Sequence, residues 1–376
     1  MNSLVLNNAR VVLPDRVIEN GSVSIESGRI TSISESISAP GMDLTGLILM
    51  PGFIDVHIHG SVGIDVMDAS ADQLTEISGY LATQGVTGWV PTFVPAADEN
   101  YASAVNAISG AAQSSTGARV LGVHYEGPFV NSAQCGALHT EYFKTYSGPA
   151  DIDDLPVPDG VRMITLAPEI DGGVDLIREL KSRGWVISIG HTRASLDVLD
   201  RACEAGARHM THFMNAMAPL HHRAPGPIAW GLAHDDVTCD VIADGIHLDP
   251  FMLRLLMKVK SGISLISDAI AAAGKGDGDY QIWGETIAVK NGRTSNAAGS
   301  IAGSVITMLD AVRLMRSLDI SWVELAKIAS LNPARLLGID SECGSIEVGK
   351  RADLVALNDA GEVQLTSING RVAFRI

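Results

Sequence analysis

The feature that most constrains the fold is an alternation that begins at Pro51. Eight short apolar runs follow in order: Gly52–His59, Gly88–Val94, Val120–Tyr125, Arg162–Ala167, Trp185–Gly190, His209–His212, Thr238–Ala243 and Ile263–Ser267. Most are separated by stretches whose apolar residues recur with helical period, among them Leu74–Thr83, Val174–Lys181, Leu196–Glu204 and Phe251–Val259. Eight strand–helix pairs in succession predict an α/β fold, a (β/α)8 TIM-like barrel. The alternative is an open doubly wound sheet. The polar residues favour the barrel. Many of the runs end in, or lead straight into, His, Glu or Asp, and such barrels build their active sites at the C-terminal ends of their strands.

The two ends of the chain have another character. Residues 3–50 hold short alternating runs (Leu4-Val5-Leu6, Arg10-Val11-Val12, Ser22–Ile25, Ile30–Ile33) broken by Gly, Asn and Ser. Asp353–Leu357 and Leu365–Ile376, around the hairpin dipeptide Asn369-Gly370, look alike. The expected division is a barrel over 51–344 and a small discontinuous β-sandwich domain from 1–50 plus 345–376, which brings the termini together. Within the Gly- and Asp-rich stretch Gly274–Ser300, the run Gln281–Val289 meets Asn291-Gly292. This predicts a hairpin inserted after strand eight, in position to cover the barrel mouth.

Composition narrows the partners. Apolar residues at 46% and charged residues at 19% exclude a disordered chain. The net charge of −16 argues against nucleic acid, and it means that an anionic substrate must be met by local cations. No apolar run reaches the ~18 residues needed to span a bilayer, so no membrane partner is expected. Met1–Pro14 lacks a basic region followed by an apolar one and reads as a strand, not a signal peptide. Cys135, Cys203, Cys239 and Cys343 are far apart and form no CxxC pair, which reads as free thiols of a reducing compartment. The cytoplasm is the expected location.

The chemistry lies at the strand ends. In Asp55-Val56-His57-Ile58-His59-Gly60 the two His occupy positions i and i+2 of a strand, so both point to the barrel interior and can share a metal. Glu126, followed at once by Gly-Pro, stands where strand three breaks into its loop. His191 ends strand five, His212 strand six and Asp268 strand eight. Any one of these is more simply a satisfied polar residue, but five ligand-type side chains and an Asp, all at the same ends, point to a metal site. Imidazole and carboxylate donors suit Zn or a similar first-row divalent ion. Such an ion lowers the pKa of bound water towards ~7 and polarises a carbonyl. An Asp beside that water can take its proton and pass it to a leaving amine, and Asp268 fits either that role or a further ligand.

The segments PGFIDVHIHG (51–60), His124–Phe129, LAPE (166–169), Gly190–Thr192, Thr211–Met217 with PLHHRAPG (219–226), ADGIH (243–247), Ser267-Asp268-Ala269 and Ala302-Gly303-Ser304 stand in a familiar order. Over essentially the whole chain, including GSIEVGKRADL (344–354), the sequence resembles the N-acetylglucosamine-6-phosphate deacetylases of the amidohydrolase superfamily. The resemblance implies that Glu126, His191 and His212 hold a principal divalent metal. Zn is the first expectation, with Fe, Mn or Co as alternatives. His57 and His59 would hold a second ion with Glu126 bridging, giving one or two per subunit. It further implies Asp268 as the catalytic general base and acid, and Asn215, Ala216 and His247 on the substrate, with His247 polarising the acetyl carbonyl. Arg223 would bind the phosphate across a homodimer interface, which also resolves how an acidic chain receives an amino-sugar phosphate. A guanidinium binds phosphate bidentately and keeps its charge.

Two departures from the family pattern stand out. After Gly136-Ala137, where relatives place a sugar-contacting His, this chain has Leu138, and His139 follows. Either the loop shifts so that Ala137 and His139 serve the sugar, or a hydroxyl has lost its partner, which leaves the sugar epimer open. Ser267 and Ile270 replace the Thr and Met that usually flank the catalytic Asp. The reading is removal of the N-acetyl group from an amino-sugar 6-phosphate, N-acetylglucosamine 6-phosphate first. The alternative is N-acetylgalactosamine 6-phosphate or another N-acyl compound. A catalytically dead relative kept for binding stands a distant third, because such a protein is expected to lose metal ligands and here all are present. A dihydroorotase-like enzyme ranks lower still because the fourth run ends Ala167-Pro168-Glu169, with no Lys to form a carbamate bridge.

Overall fold

The computed structural model describes residues 3–36, 39–113, 117–153 and 155–376. Among these the middle of the chain forms a ring of parallel strands. The first is Phe53–Ile58, the second Val86–Phe93, the third Gly122–Glu126 (with Arg119–Val120 leading into it) and the fourth Val161–Leu166. The fifth to eighth are Val186–Ile189, His209–Met210, Thr238–Ile242 and Ile263–Ile266. Each pairs with the next in sequence, as in Glu126↔Thr165, Thr165↔Ser188, Ser188↔His209 and Asp240↔Ser264. Between the eighth and first strands the ring closes by a looser seam. There the Asp268 amide donates to His57 O at 2.9 Å and the His59 amide to Ala269 O at 2.8 Å.

Local chemistry explains the elements. The helix Ala71–Thr83 starts at Ser70, whose hydroxyl accepts from Gln73 N while Gln73 reaches back to the Ser70 amide. Its Leu74, Ile77 and Leu81 are buried against the barrel. The helix Met308–Ser317 is opened the same way by Thr307 and Asp310. Inside the barrel, Ile54, Val56, Val90, Met163, Ile242 and Ile266 belong to one apolar cluster. The interior also holds a polar belt: His124 Nε2 lies 2.8 Å from Thr165 Oγ1, which is 2.6 Å from Thr211 Oγ1, itself bonded to Ser188. The sixth strand is short because the chain turns at His212, whose φ is +32°.

The ends of the chain meet in a second, eight-stranded sheet. Ile48–Pro51 runs parallel to Ser3–Val12 on one side and antiparallel to Leu354–Leu357 on the other. The sheet curls back on itself, since Ile30 N donates to Lys350 O at 2.9 Å and Arg29 forms a bridge with Arg351. Leu6, Val11, Val23, Ile25, Leu49, Leu354 and Leu365 fill the space it encloses. Its other side joins the barrel, where Thr366 Oγ1 donates to Ala82 O at 2.7 Å.

The insertion after the eighth strand has three strands, one more than a hairpin: Gly278–Ile282, Glu285–Lys290 and Arg293–Ser295. The Asn291-Gly292 turn joins the last two, as read from the sequence. The additional turn is at Trp283-Gly284. Among the described residues no helix is long and apolar enough to cross a membrane.

Candidate metal centre and active site

Strand ends converge on Glu126, which is buried at the mouth of the barrel. Its Oε1 lies 2.9 Å from both His191 Nε2 and His212 Nε2, and its Oε2 lies 3.4 Å from His59 Nε2. His57 Nε2 is 3.1 Å from His59 Nε2 and 3.7 Å from Glu126 Oε1. Two groups of potential ligands result among the described residues, His57–His59–Glu126 and Glu126–His191–His212, with the carboxylate common to both. Asp268 Oδ1 stands beside them, 3.2 Å from His59 Nε2 and 3.4 Å from His57 Nε2.

The charges show what the site needs. Burial pushes the Glu126 carboxyl up, but the His57 charge and hydrogen bonds from His191, His212 and His57 outweigh it and hold it well below the ordinary range. Burial likewise opposes a charge on His59, yet Asp268 and Glu126 raise it to about 10. Glu126, with help from Asp268 and Asp240, raises His212 to about 9. Two buried carboxylates thus demand positive charge between them, and protons supply it when nothing else does. Four converging Nε2 atoms around a shared carboxylate fit a first-row divalent cation. The far ring nitrogens of two histidines are fixed as metal ligands require: His59 Nδ1 lies 3.0 Å from Thr92 O and His191 Nδ1 2.8 Å from Gln134 O. His57 Nδ1 and His212 Nδ1 have no hydrogen-bond partner.

Three of the site's side chains sit on strained backbone, with φ of +48° at His191, +32° at His212 and +50° at Asp268. Such conformations cost on the order of 1–3 kcal/mol each and persist only where surroundings impose them. Three carboxylates do so here. Asp55 accepts from Ser267 N at 3.2 Å, Ser267 Oγ at 2.5 Å and His57 N at 3.3 Å, so it holds both sides of the seam. Glu169 accepts from Thr192 Oγ1 and Arg193 N, both at 2.6 Å, just beyond His191. Asp240 accepts from the His212 amide and, at 2.9 Å, from His209 Nε2. Gly303 then allows the backbone to approach Asp268, because a Cβ there would lie 2.8 Å from Asp268 O and 2.7 Å from Ile270.

A cavity of about 160 Å³ opens over the cluster. Its wall includes His59, Glu126, His191, His212 and Asp268, together with Ala137, Asn215, Ala216 and His247. The Asp244 carboxylate takes His247 Nδ1 at 2.6 Å, leaving Nε2 for a ligand. His57 lies one shell deeper, fully buried. Two further residues singled out in the sequence are also outside this wall. Leu138 lines it, whereas the His139 ring turns to Glu141, 3.3 Å away. Arg223 is exposed on the His221–Arg223 loop. Sequence reasoning passed over Trp283 and Ile301, which also line the cavity, and over Asp55 and Asp240 beneath it. The signal for Asp240 was an Asp inside an otherwise apolar strand. For Trp283 it was a Trp-Gly pair inside the Gly-rich insertion.

A model of the amidohydrolase family matches residues 48–373. The N-acetylglucosamine-6-phosphate deacetylase of Bacillus subtilis (strain 168) is 39% identical over 393 residues, covering 99% of this chain and 97% of the relative. The N-acetylgalactosamine-6-phosphate deacetylase of Escherichia coli O157:H7 is 36% identical, covering 98% and 99%. The solved N-acetylglucosamine-6-phosphate deacetylase from Pasteurella multocida superposes with a TM-score of 0.92 at 30% identity over 99% of each chain. A mutant of the Mycobacterium smegmatis enzyme, solved with N-acetyl-D-glucosamine-6-phosphate, superposes at 0.91 and 30% identity, over 99% of this chain and 100% of that one. Matches of this extent, on a barrel whose strand ends gather the histidines and carboxylates just described, make the chain a member of the amidohydrolase family, in the branch of the N-acetylglucosamine-6-phosphate deacetylases.

Proposed function

We propose that the chain hydrolyses the N-acetyl amide of an amino-sugar 6-phosphate, N-acetylglucosamine 6-phosphate first, giving acetate and the free amine. The observation that carries this reading is the Asp268 carboxylate, set within 3.4 Å of two histidines of the cluster and lining the cavity over them. His57, His59, Glu126, His191 and His212 would hold one or two divalent cations, zinc before iron, manganese or cobalt on the donor types. A bound divalent cation supplies Lewis acidity, which makes water acidic near neutral pH and polarises an amide carbonyl. Asp268 takes the proton of the attacking water on its carboxylate and returns it to the departing nitrogen. His247, its Nδ1–H held by the Asp244 carboxylate, donates from Nε2 to the carbonyl oxygen as charge develops there when the ring carries both protons. Asn215, Ala216 and Ala137 contact the sugar from the cavity wall.

Arg223 lies outside its own cavity wall, which suits a guanidinium that binds the phosphate in a second copy's site and so a homodimer. The four free thiols suit the cytoplasm. A second reading, the galacto epimer, has one observation in its favour: Leu138 in the wall where a polar contact to a hydroxyl is expected. Acetate release from the N-acetylglucosamine and N-acetylgalactosamine 6-phosphates and their unphosphorylated counterparts tests both. Turnover confined to one phosphorylated epimer selects between them. Equal turnover with and without phosphate refutes the sugar-phosphate assignment.

A further inference from the structure

The insertion after the eighth strand is fixed by its own apolar cluster. Ile282, Ile287 and Val289 pack there on Ile270 and Ala272, two and four residues beyond Asp268. Its first turn carries Trp283 at φ +54°, a conformation a bulky residue keeps only when held. The indole meets the His59 ring edge to face, centroids 5.3 Å apart and planes at 82°. Its N–H faces the Asp65 carboxyl without completing a hydrogen bond, and both Nε1 and Asp65 Oδ2 are buried without a partner. The polar edge of the ring is thus turned to Asp65, while the indole also lines the cavity.

Geometry then locates the acyl group. The carbonyl carbon under attack must sit beside Asp268, and its acyl substituent is one bond away. Asp268 Oδ1 is 3.2 Å from His59 Nε2, and the indole packs on that same imidazole. Among the described residues Trp283 is the aromatic side chain outside the histidine cluster that touches a ring of that cluster and lines the cavity.

We propose that Trp283 determines the size of the N-acyl group the site accepts, its indole forming the wall against which the acetyl methyl rests. The inference deepens the deacetylase reading and rests on it. In a cavity of about 160 Å³ the wall cannot retreat, because the apolar cluster holds the turn in place. A longer acyl chain therefore meets the indole.

The test is kcat/KM of the metal-loaded full chain on N-acetyl-, N-propionyl- and N-butyryl-glucosamine 6-phosphate. The wild type is expected to favour acetyl over butyryl by about tenfold or more, the discrimination that one or two methylenes produce in a fitted pocket. Trp283→Ala should raise the butyryl-to-acetyl ratio by about tenfold, and Trp283→Phe should restore most of the acetyl preference. If the alanine variant does not fold, Trp283→Leu is judged by the same ratio. A ratio unchanged within about twofold overturns the proposal, as does Leu138→Ala shifting the ratio when the Trp283 variants do not. A wild type that releases no acetate refutes the deacetylase reading itself; an active wild type with a flat ratio refutes this inference alone.

Discussion

Asp240 offers the sharpest test of how the metal-ligand end of the barrel is held. The residue is fully buried, and its carboxylate joins the amide of His212 to His209 Nε2, while His209 Nδ1 lies 2.7 Å from Thr238 Oγ1. Asp240→Ala leaves two buried N–H groups without acceptors, at about 1–3 kcal/mol each, and removes the restraint on a strained residue. The expected loss is about 3–5 kcal/mol, the range for breaking one side of a buried pair. Asp240→Asn should behave differently. Its oxygen still accepts from the His212 amide, and its NH2 faces His209, which can shift its own proton to Nδ1 and donate to Thr238. Every group is then satisfied, and the expected cost falls to about 1 kcal/mol. In a chain of this length each kcal/mol moves the unfolding midpoint by about 2 °C or less. At about 2.1 cal/mol/K of unfolding entropy per residue this is about 1.3 °C per kcal/mol, so the alanine variant should melt about 4–6 °C lower and the asparagine variant about 1 °C lower. Scanning calorimetry on metal-free and metal-loaded protein, with metal content measured in parallel, gives both numbers. Equal losses in the two variants, or an alanine variant within about 1 kcal/mol of wild type, would show that Asp240 does not hold His212.

Three further outcomes are expected. Asp268→Asn should retain its metal, by elemental analysis, while turnover falls by at least ~10²-fold; a variant with most of its activity would remove Asp268 from proton transfer. Arg223→Ala should lose activity on the phosphorylated substrate, and mixing it with Asp268→Asn should restore some if Arg223 serves a second copy's site. Mixtures no more active than their parts would refute a contact across two copies, and unchanged turnover of the phosphorylated substrate by Arg223→Ala would put the phosphate contact elsewhere. Burial pushes the Cys239 thiol up to about 12 and raises Cys203 and Cys343 as well, so these three should resist a thiol reagent until the protein unfolds. Cys135 in the half-buried loop should react in the native state, and mass spectrometry after brief labelling reads out which residue is modified.

The barrel was legible because its strands are continuous apolar runs with their polar residues pushed to one end. That pattern survives in sequence, and all eight strands lie within two residues of their expected starts. The histidines that gather around Glu126 were legible for the same reason. What escaped was whatever depends on residues far apart in sequence lying close in space. Asp55 reads as part of a motif around His57, yet its main partner is Ser267 across the seam. Trp283 reads as a turn residue, and only the folded insertion brings it to His59. The neighbouring residues Leu138 and His139 could be ranked only once the loop showed which side chain faces the cavity.

The curled terminal sheet has a consequence for synthesis. Ile48–Pro51, buried throughout, sits between Ser3–Val12 and Leu354–Leu357, so one side of it stays unpaired until the latter strand has left the ribosome. Until then it is an apolar edge open to a neighbouring nascent chain. Loss of the segment from Leu354 onward removes none of the residues assigned to the chemistry, but it makes that exposure permanent. Such truncations are expected to be found in aggregates instead of as inactive but dispersed protein, and the yield of folded protein should depend on how quickly Leu354–Leu357 arrives.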